Sequence, residues 1–279
     1  MRIIQRTVYG SALQTAALLK IPHRIVENTT LNEKFSIEAD LELTEDDFPG
    51  VNYYCIGNGG HRVVSGADGI PYTTPINHRA TDAALFNHIP FVVRDLDDDL
   101  TIARREKYAL RKIITVGDKN YIAYYLKRID VSQVTTEMQH TKVIDGNQTT
   151  TAFVPSNDNL NPEPPALPND GIITTDGNYV TSSAIVTIAF DEQDVEELMD
   201  VSRILYNDED HAIISEVGLC SAVDRVVTTT GYVGTFNYRE ALGAQVVTHI
   251  TGYYPVGYTN AGFELKIEAG ATEPMVGEA

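Results

Sequence analysis

The sequence predicts a mainly β chain with a few short helices, an α+β protein built from antiparallel sheets in a sandwich- or barrel-like arrangement. Two alternating runs carry much of that reading. Phe263, Leu265 and Ile267 alternate with Glu264, Lys266 and Glu268, and Phe35, Ile37, Ala39, Leu41 and Leu43 alternate with Ser36, Glu38, Asp40 and Glu42. A period of two marks a strand with one buried face. The third observation is a hairpin signal: Tyr108–Val116 and Tyr121–Val131 flank Gly117-Asp118-Lys119-Asn120.

In chain order, Tyr9 to Leu19 reads as a short helix, with Ser11 as N-cap and Leu13, Ala16 and Ala17 on one face. Lys20 and Pro22 end it. Phe35 to Leu43 is the first alternating strand. Asn52 to Tyr72, rich in Gly, Tyr and Asn, and the polar stretch Asn77 to Asn87 read as loops. Asp98 to Lys107 fits a helix or a strand. Val154 to Asp170 holds Pro155, Pro162, Pro164, Pro165 and Pro168 and reads as an extended connector. Beyond it, strands are expected at Tyr179–Phe190, Ile213–Cys220, Arg225–Thr230, Ala244–Tyr253 and Phe263–Glu268. The helix from Asp191 to about Tyr206 places Val195, Leu198, Met199 and Leu205 on one face. Its acidic start and Arg203 in the last turn suit the helix dipole. The tail after Gly270 is expected to be mobile or held by a neighbour.

The expected organisation is therefore a β-rich half at 1–153, a Pro-rich connector at 154–170, and a β-rich half at 171–279 with one inserted helix, or else a single intertwined domain. The length of 279 residues, 43% hydrophobic content, 15 Tyr and 8 Phe suffice for a core. The net charge of −18 speaks against nucleic-acid or anionic-lipid surfaces, which need Lys and Arg clusters. The start Met1-Arg2-Ile3-Ile4-Gln5-Arg6 is charged early, and Ala16-Ala17-Leu18-Leu19 is too short for a signal core, so a cytoplasmic place of assembly is expected.

No motif identifies a reaction, and the sequence assigns no catalytic, cofactor-binding or metal-binding residue. Gly57, Gly59 and Gly60 lack the spacing of a dinucleotide loop and read as a turn. His23, His61, His78, His88, His140, His211 and His249 form no HExxH or HxH, although Asp82 lies between His78 and His88. Asp95, Asp97, Asp98 and Asp99 form an acidic turn; the sixth and twelfth positions from Asp95 are Leu100 and Glu106, so the EF-hand glycine is missing. Cys55 and Cys220 sit in no metal-like spacing and read as buried free thiols.

Several stretches carry a resemblance. Ile89-Pro90-Phe91-Val92-Val93-Arg94-Asp95 leads into Glu106-Lys107-Tyr108-Ala109-Leu110-Arg111, followed by Asn120-Tyr121-Ile122-Ala123-Tyr124-Tyr125-Leu126-Lys127-Arg128. Ile214-Ser215-Glu216-Val217-Gly218-Leu219 is similar to strands of phage tail and baseplate proteins, and Phe263 to Gly270 fits the same pattern. Over about half its length the chain resembles structural proteins of tailed-bacteriophage virions. That resemblance implies a non-enzymatic subunit of a ring or wedge at the head–tail connector, neck, tail or baseplate. It would be assembled in the host cytoplasm and located in the virion. Its partners would be copies of itself and other virion proteins, without nucleic acid or membrane, and with divalent cations conceivable at subunit contacts. The expected contact surfaces are the Asn52–Tyr72 and Asn77–Asn87 loops, the Pro155–Asp170 connector and the tail after Gly270. A receptor- or carbohydrate-binding module is the rival expectation, resting on Tyr53, Tyr54 and Tyr72 in one region and Tyr253, Tyr254 and Tyr258 in another. An enzyme such as a cell-wall hydrolase is the third, supported only by acidic residues.

Overall fold

A computed structural model describes residues 3–38, 43–44, 46–161, 174–231, 234–256 and 262–276. The protein is mainly β with few, short helices, and its sheets are antiparallel. The chain divides into two compact units, Met1–Asp130 with Phe190–Phe263, and Val131–Ala189 with Glu264–Ala279. Residues 154–161 form no strand, and 162–170 lie outside the described residues.

The first unit opens with β1 (Ile3–Arg6) and α1 (Val8–Leu19). Thr7, not Ser11, caps α1: its hydroxyl accepts from Gly10 N at 3.1 Å and donates to the Val246 carbonyl at 2.8 Å. Lys20 closes the helix in the left-handed region. The alternating run at Phe35–Leu43 is not a strand where it is described. Thr30 and Glu33 form a capping box that starts α2 (Leu31–Phe35), and Ser36 ends it with φ 55°. Local capping thus overrides the two-residue period, and 39–42 lie outside the described residues.

The expected Asn52–Tyr72 loop is largely strand: β2 (Gly50–Gly57), β3 (His61–Ser65) and β4 (Pro71–Pro75). In β2, Tyr53, Tyr54, Cys55 and Ile56 are all at most 2% exposed. A strand covered on both faces reads as an unbroken run and leaves no alternation to detect. Asn77–Asn87 is irregular, as expected. Next come β5 (His88–Ile89), β6 (Val92–Asp95), the short helix α3 (Ile102–Arg105), β7 (Tyr108–Val116) and β8 (Lys119–Arg128). The β7–β8 turn is tighter than expected, because Val116 already pairs with Lys119.

After the second unit's strands β9 (Glu137–Ile144), β10 (Asn147–Ala152) and β11 (Thr174–Phe190) come α4 (Glu192–Tyr206), β12 (Ile213–Gly231), β13 (Gly234–Pro255) and β14 (Phe263–Val276). The segments expected separately at Ile213–Cys220 and Arg225–Thr230 are one strand, β12, with register shifts against β13.

The main sheet has eight strands along the path β1-β13-β12-β2-β8-β6, with β5 also on β2 and β7 also on β8. Its core gathers Leu31, Phe35, Tyr53, Cys55, Leu126, Val201 and Val246. The second unit is a four-stranded sheet in the order β10-β9-β11-β14. The tail after Gly270, expected to be mobile or held by a neighbour, is strand as far as Val276. Gly270 is what lets the chain in: a Cβ there would lie 2.2 Å from the Ser182 carbonyl oxygen.

A buried side chain ties α2 to β13. Asn32 donates to the Ala241 carbonyl and accepts from Ala244 N, both at 2.9 Å, beside Gly243, whose φ is +58°. Asn32→Ala strands one buried donor and one buried acceptor. A loss of about 2–4 kcal/mol in urea unfolding is expected.

Candidate functional site

Glu216 is 1% exposed, on β12 next to a register shift between Ile214 and Glu216. Such an irregularity re-aims side chains, and here Ser215 and Glu216 both hold loop backbone. Oε1 of Glu216 accepts from Gly59 N at 2.9 Å and Asn87 N at 3.0 Å. Oε2 accepts from Phe86 N at 2.8 Å and from His78 Nε2 at 2.8 Å. Ser215 Oγ accepts from Gly60 N at 2.9 Å. A Cβ on Gly60 would meet the Ser215 carbonyl oxygen at 2.5 Å, so close approach explains the glycine.

His78 lies flat between two rings. Phe86 stacks at 4.0 Å on one side and His249 at 3.9 Å on the other. Its Nδ1 faces Asp82 Oδ2 at 3.2 Å, and that oxygen also accepts from Arg79 N at 2.9 Å. His249 Nε2 donates to the Asp82 carbonyl at 3.0 Å. Burial pushes His249 down to about 4. The Glu216–His78–Asp82 series has the look of an acid–base relay. It differs from one in a decisive way: a carboxylate offers about four lone-pair directions, and the four donors to Glu216 occupy them. What it does chemically is fasten two loops to a central strand.

Beside this anchor Asn58, His61, Asn87, Tyr206, Asp210, His211 and Ile213 line a concavity of about 500 Å³. Asn87 Nδ2 donates to Asn58 Oδ1 at 2.5 Å, and both side chains approach the Tyr206 hydroxyl, at 3.4 and 3.3 Å. The Tyr206 ring stacks on His211. Burial lowers the His61 pKa. The lining offers amides, imidazoles, a phenol and one carboxylate, a set suited to polar contact.

The two segments expected as contact loops are thus brought together, on the very strand Ile214–Leu219. His23 and His140 lie elsewhere, His23 bonding Gln245 at 3.0 Å and His140 bonding Asn178 at 2.6 Å, while His211 in the concavity also faces Asp208 at 3.3 Å. Among the described residues, no group of three or more His, Cys, Asp or Glu is arranged to hold a metal ion. In the acidic turn, Asp99 is taken by Arg111 at 3.1 Å and the Tyr124 hydroxyl at 2.7 Å, and Asp95 by Lys119 at 2.7 Å. Cys55 and Cys220 are buried and free, with Sγ atoms 3.7 Å apart. Burial raises the Cys55 thiol pKa well above its ordinary value. Tyr53 and Tyr54 are buried and form no open platform, whereas Tyr72 and Tyr253 are 56% and 40% exposed. Tyr258 lies outside the described residues.

Sequence reasoning missed a second polar cluster. The buried residues of α4 are Asp194, Val195, Glu197, Leu198, Val201 and Ser202, while Met199 and Leu205 are only half-buried. Asp194, read as a dipole residue, also takes Lys127 at 2.5 Å. Glu197 takes Arg94 and takes Arg104 at 2.6 Å. Burial alone would raise the Glu197 carboxyl, but the bonds from the two arginines carry it below the ordinary value. The signal was present, since Asp194 and Glu197 share a helical face with Val201.

Fold and site together define an antiparallel β protein whose loops are pinned by a buried carboxylate. The chain belongs to a family of unknown function, DUF7208, whose model matches residues 1–279. No curated protein and no solved structure matches it. No helix among the described residues is long and apolar enough to cross a membrane.

Two predictions follow from the anchor. Glu216→Gln replaces two acceptor sites with N–H donors that face other donors. It is expected to cost about 3 kcal/mol and to speed amide exchange in 77–88, read by hydrogen exchange with mass spectrometry. For His249, the folded pKa lies below the unfolded one, so its stabilisation is present above the ordinary 6.5 and fades as pH falls toward about 4. Between pH 7 and pH 5 the wild type is expected to lose about 2 kcal/mol from this source. His249→Gln should flatten that slope in urea titrations.

Proposed function

We propose that this chain is a non-enzymatic assembly subunit that packs with copies of itself and with other subunits into a ring or wedge. The phage virion as its setting, at the connector, neck, tail or baseplate, rests on the sequence resemblance. One observation carries the assembly reading. In the second unit only three described apolar residues are buried with the whole chain present, Ile188, Leu265 and Ile267. The other buried positions there are Thr141, Asn178 and Ser183. Met138, Ile144, Val154, Leu160 and Ile185 are meanwhile 43–71% exposed.

A sheet needs an apolar face packed against something to be stable in water. Among the described residues this sheet buries few apolar side chains, and contact with neighbouring subunits would supply more. The net charge of −18 opposes close packing of copies. Assembly therefore requires contacts that keep like charges apart. The carbohydrate-binding reading loses Tyr53 and Tyr54 as a platform and keeps the exposed Tyr72 and Tyr253.

Light scattering at low and moderate salt tests the proposal. A discrete oligomer is expected, with a melting midpoint that climbs as protein concentration rises. A monomer at every concentration, with a constant midpoint, would rule out self-assembly.

A further inference from the structure

We infer that β10 is the self-association edge, pairing antiparallel with β10 of a second copy across a two-fold axis. This rests on the assembly reading above and names the surface it uses. Among the described residues, β10 occupies one edge of the four-stranded sheet and pairs with β9 alone. All six of its residues, Asn147 to Ala152, are exposed. In an edge strand, alternate residues turn their N–H and C=O groups away from the sheet, a ready template for another strand.

Proteins ordinarily blunt such edges with charge or proline, and the other edges here follow that rule. β14 carries Glu264, Lys266, Glu268, Glu273 and Pro274. In the main sheet, β1 carries Arg6, β6 carries Arg94 and Asp95, and β7 carries Arg111 and Lys112. β4 is bounded by Pro71 and Pro75. β10, reading Asn-Gln-Thr-Thr-Thr-Ala, has neither device, and the sequence holds no charged residue from Asn147 through Asn157.

The chemistry favours a second copy as the occupant. At a net charge of −18, two copies repel over most of their surfaces, and least along an uncharged strip. A basic partner would instead seek acidic edges. The segment also matches itself when reversed. With the axis through Thr150, Thr150 faces its own copy, Thr149 faces the partner's Thr151 and Gln148 faces the partner's Ala152. Thr–Thr cross-strand pairs are favourable. The Thr150 hydroxyl is engaged with Thr141 inside the sheet at 3.1 Å.

Two double variants test this in the full chain, with circular dichroism verifying the fold. Gln148→Lys with Ala152→Lys sets like charges opposite each other twice. It is expected to weaken the two-copy contact by roughly tenfold or more and to expose β10 amides to exchange. Gln148→Glu with Ala152→Lys sets opposite charges in the same register and is expected to keep the wild-type mass and protection. If the double-lysine variant assembles as the wild type does, β10 is not the contact, and the assembly reading stands without it. If both variants dissociate equally, the two-fold register is wrong. If the wild type is itself monomeric, the assembly reading falls and takes this inference with it.

Discussion

The main sheet depends on keeping one carboxylate satisfied away from water. An ionised glutamate inside a protein costs several kcal/mol unless hydrogen bonds replace its hydration. Glu216 obtains that replacement from three backbone amides and one imidazole. The amides come from segments about 130 to 157 residues away in sequence. Much local geometry follows from meeting this demand. Gly60 must lack a side chain to bring its amide to Ser215. His78 must lie flat between Phe86 and His249. The 77–88 segment must curl so that Phe86 and Asn87 both point their N–H groups at one side chain. An irregular loop thereby gains a fixed shape without regular secondary structure.

How much of this was legible follows from the range of the interactions involved. The β7–β8 hairpin, the α4 helix and the start of β14 are set by neighbours in sequence, and periodicity and turn residues reveal them. β2 was hidden because burial on both faces turns its pattern into a continuous Tyr-Tyr-Cys-Ile run. α2 was hidden because Thr30 and Glu33 cap a helix only five residues long, inside what looked like alternation. β9 and β10, rich in Thr and Gln, have no apolar stripe to announce them. The anchor is the least legible of all: Glu216 is one of 39 acidic residues, and only the fold reveals that four donors converge on it. The nearest sequence hint was Asp82 lying between His78 and His88, and it named the wrong second histidine, since His249 is the one that stacks.

The same chain solves its polar groups in two ways. In the first unit they are buried and paired: Glu216 with amides, Glu197 with two arginines, Asp194 with Lys127, Asn32 with β13 backbone. Pairing of this kind is directional, so it selects one loop arrangement rather than merely adding stability. In the second unit the polar residues are chiefly hydroxyls and amides on exposed strands, and apolar side chains stand in water.

A sheet of the second kind pays little for desolvation when another surface covers it, because uncharged hydroxyls lose less hydration than carboxylates or ammonium groups. Its β10 edge carries no charge to repel a like-charged partner. Under the assembly proposed above, rigid loops on one unit and an uncharged strand edge on the other would divide the work of a building block: one would hold shape while the other makes contact. On that division the Asn58–Tyr206 concavity, pinned from beneath by Glu216, keeps its form whether or not the edge is occupied.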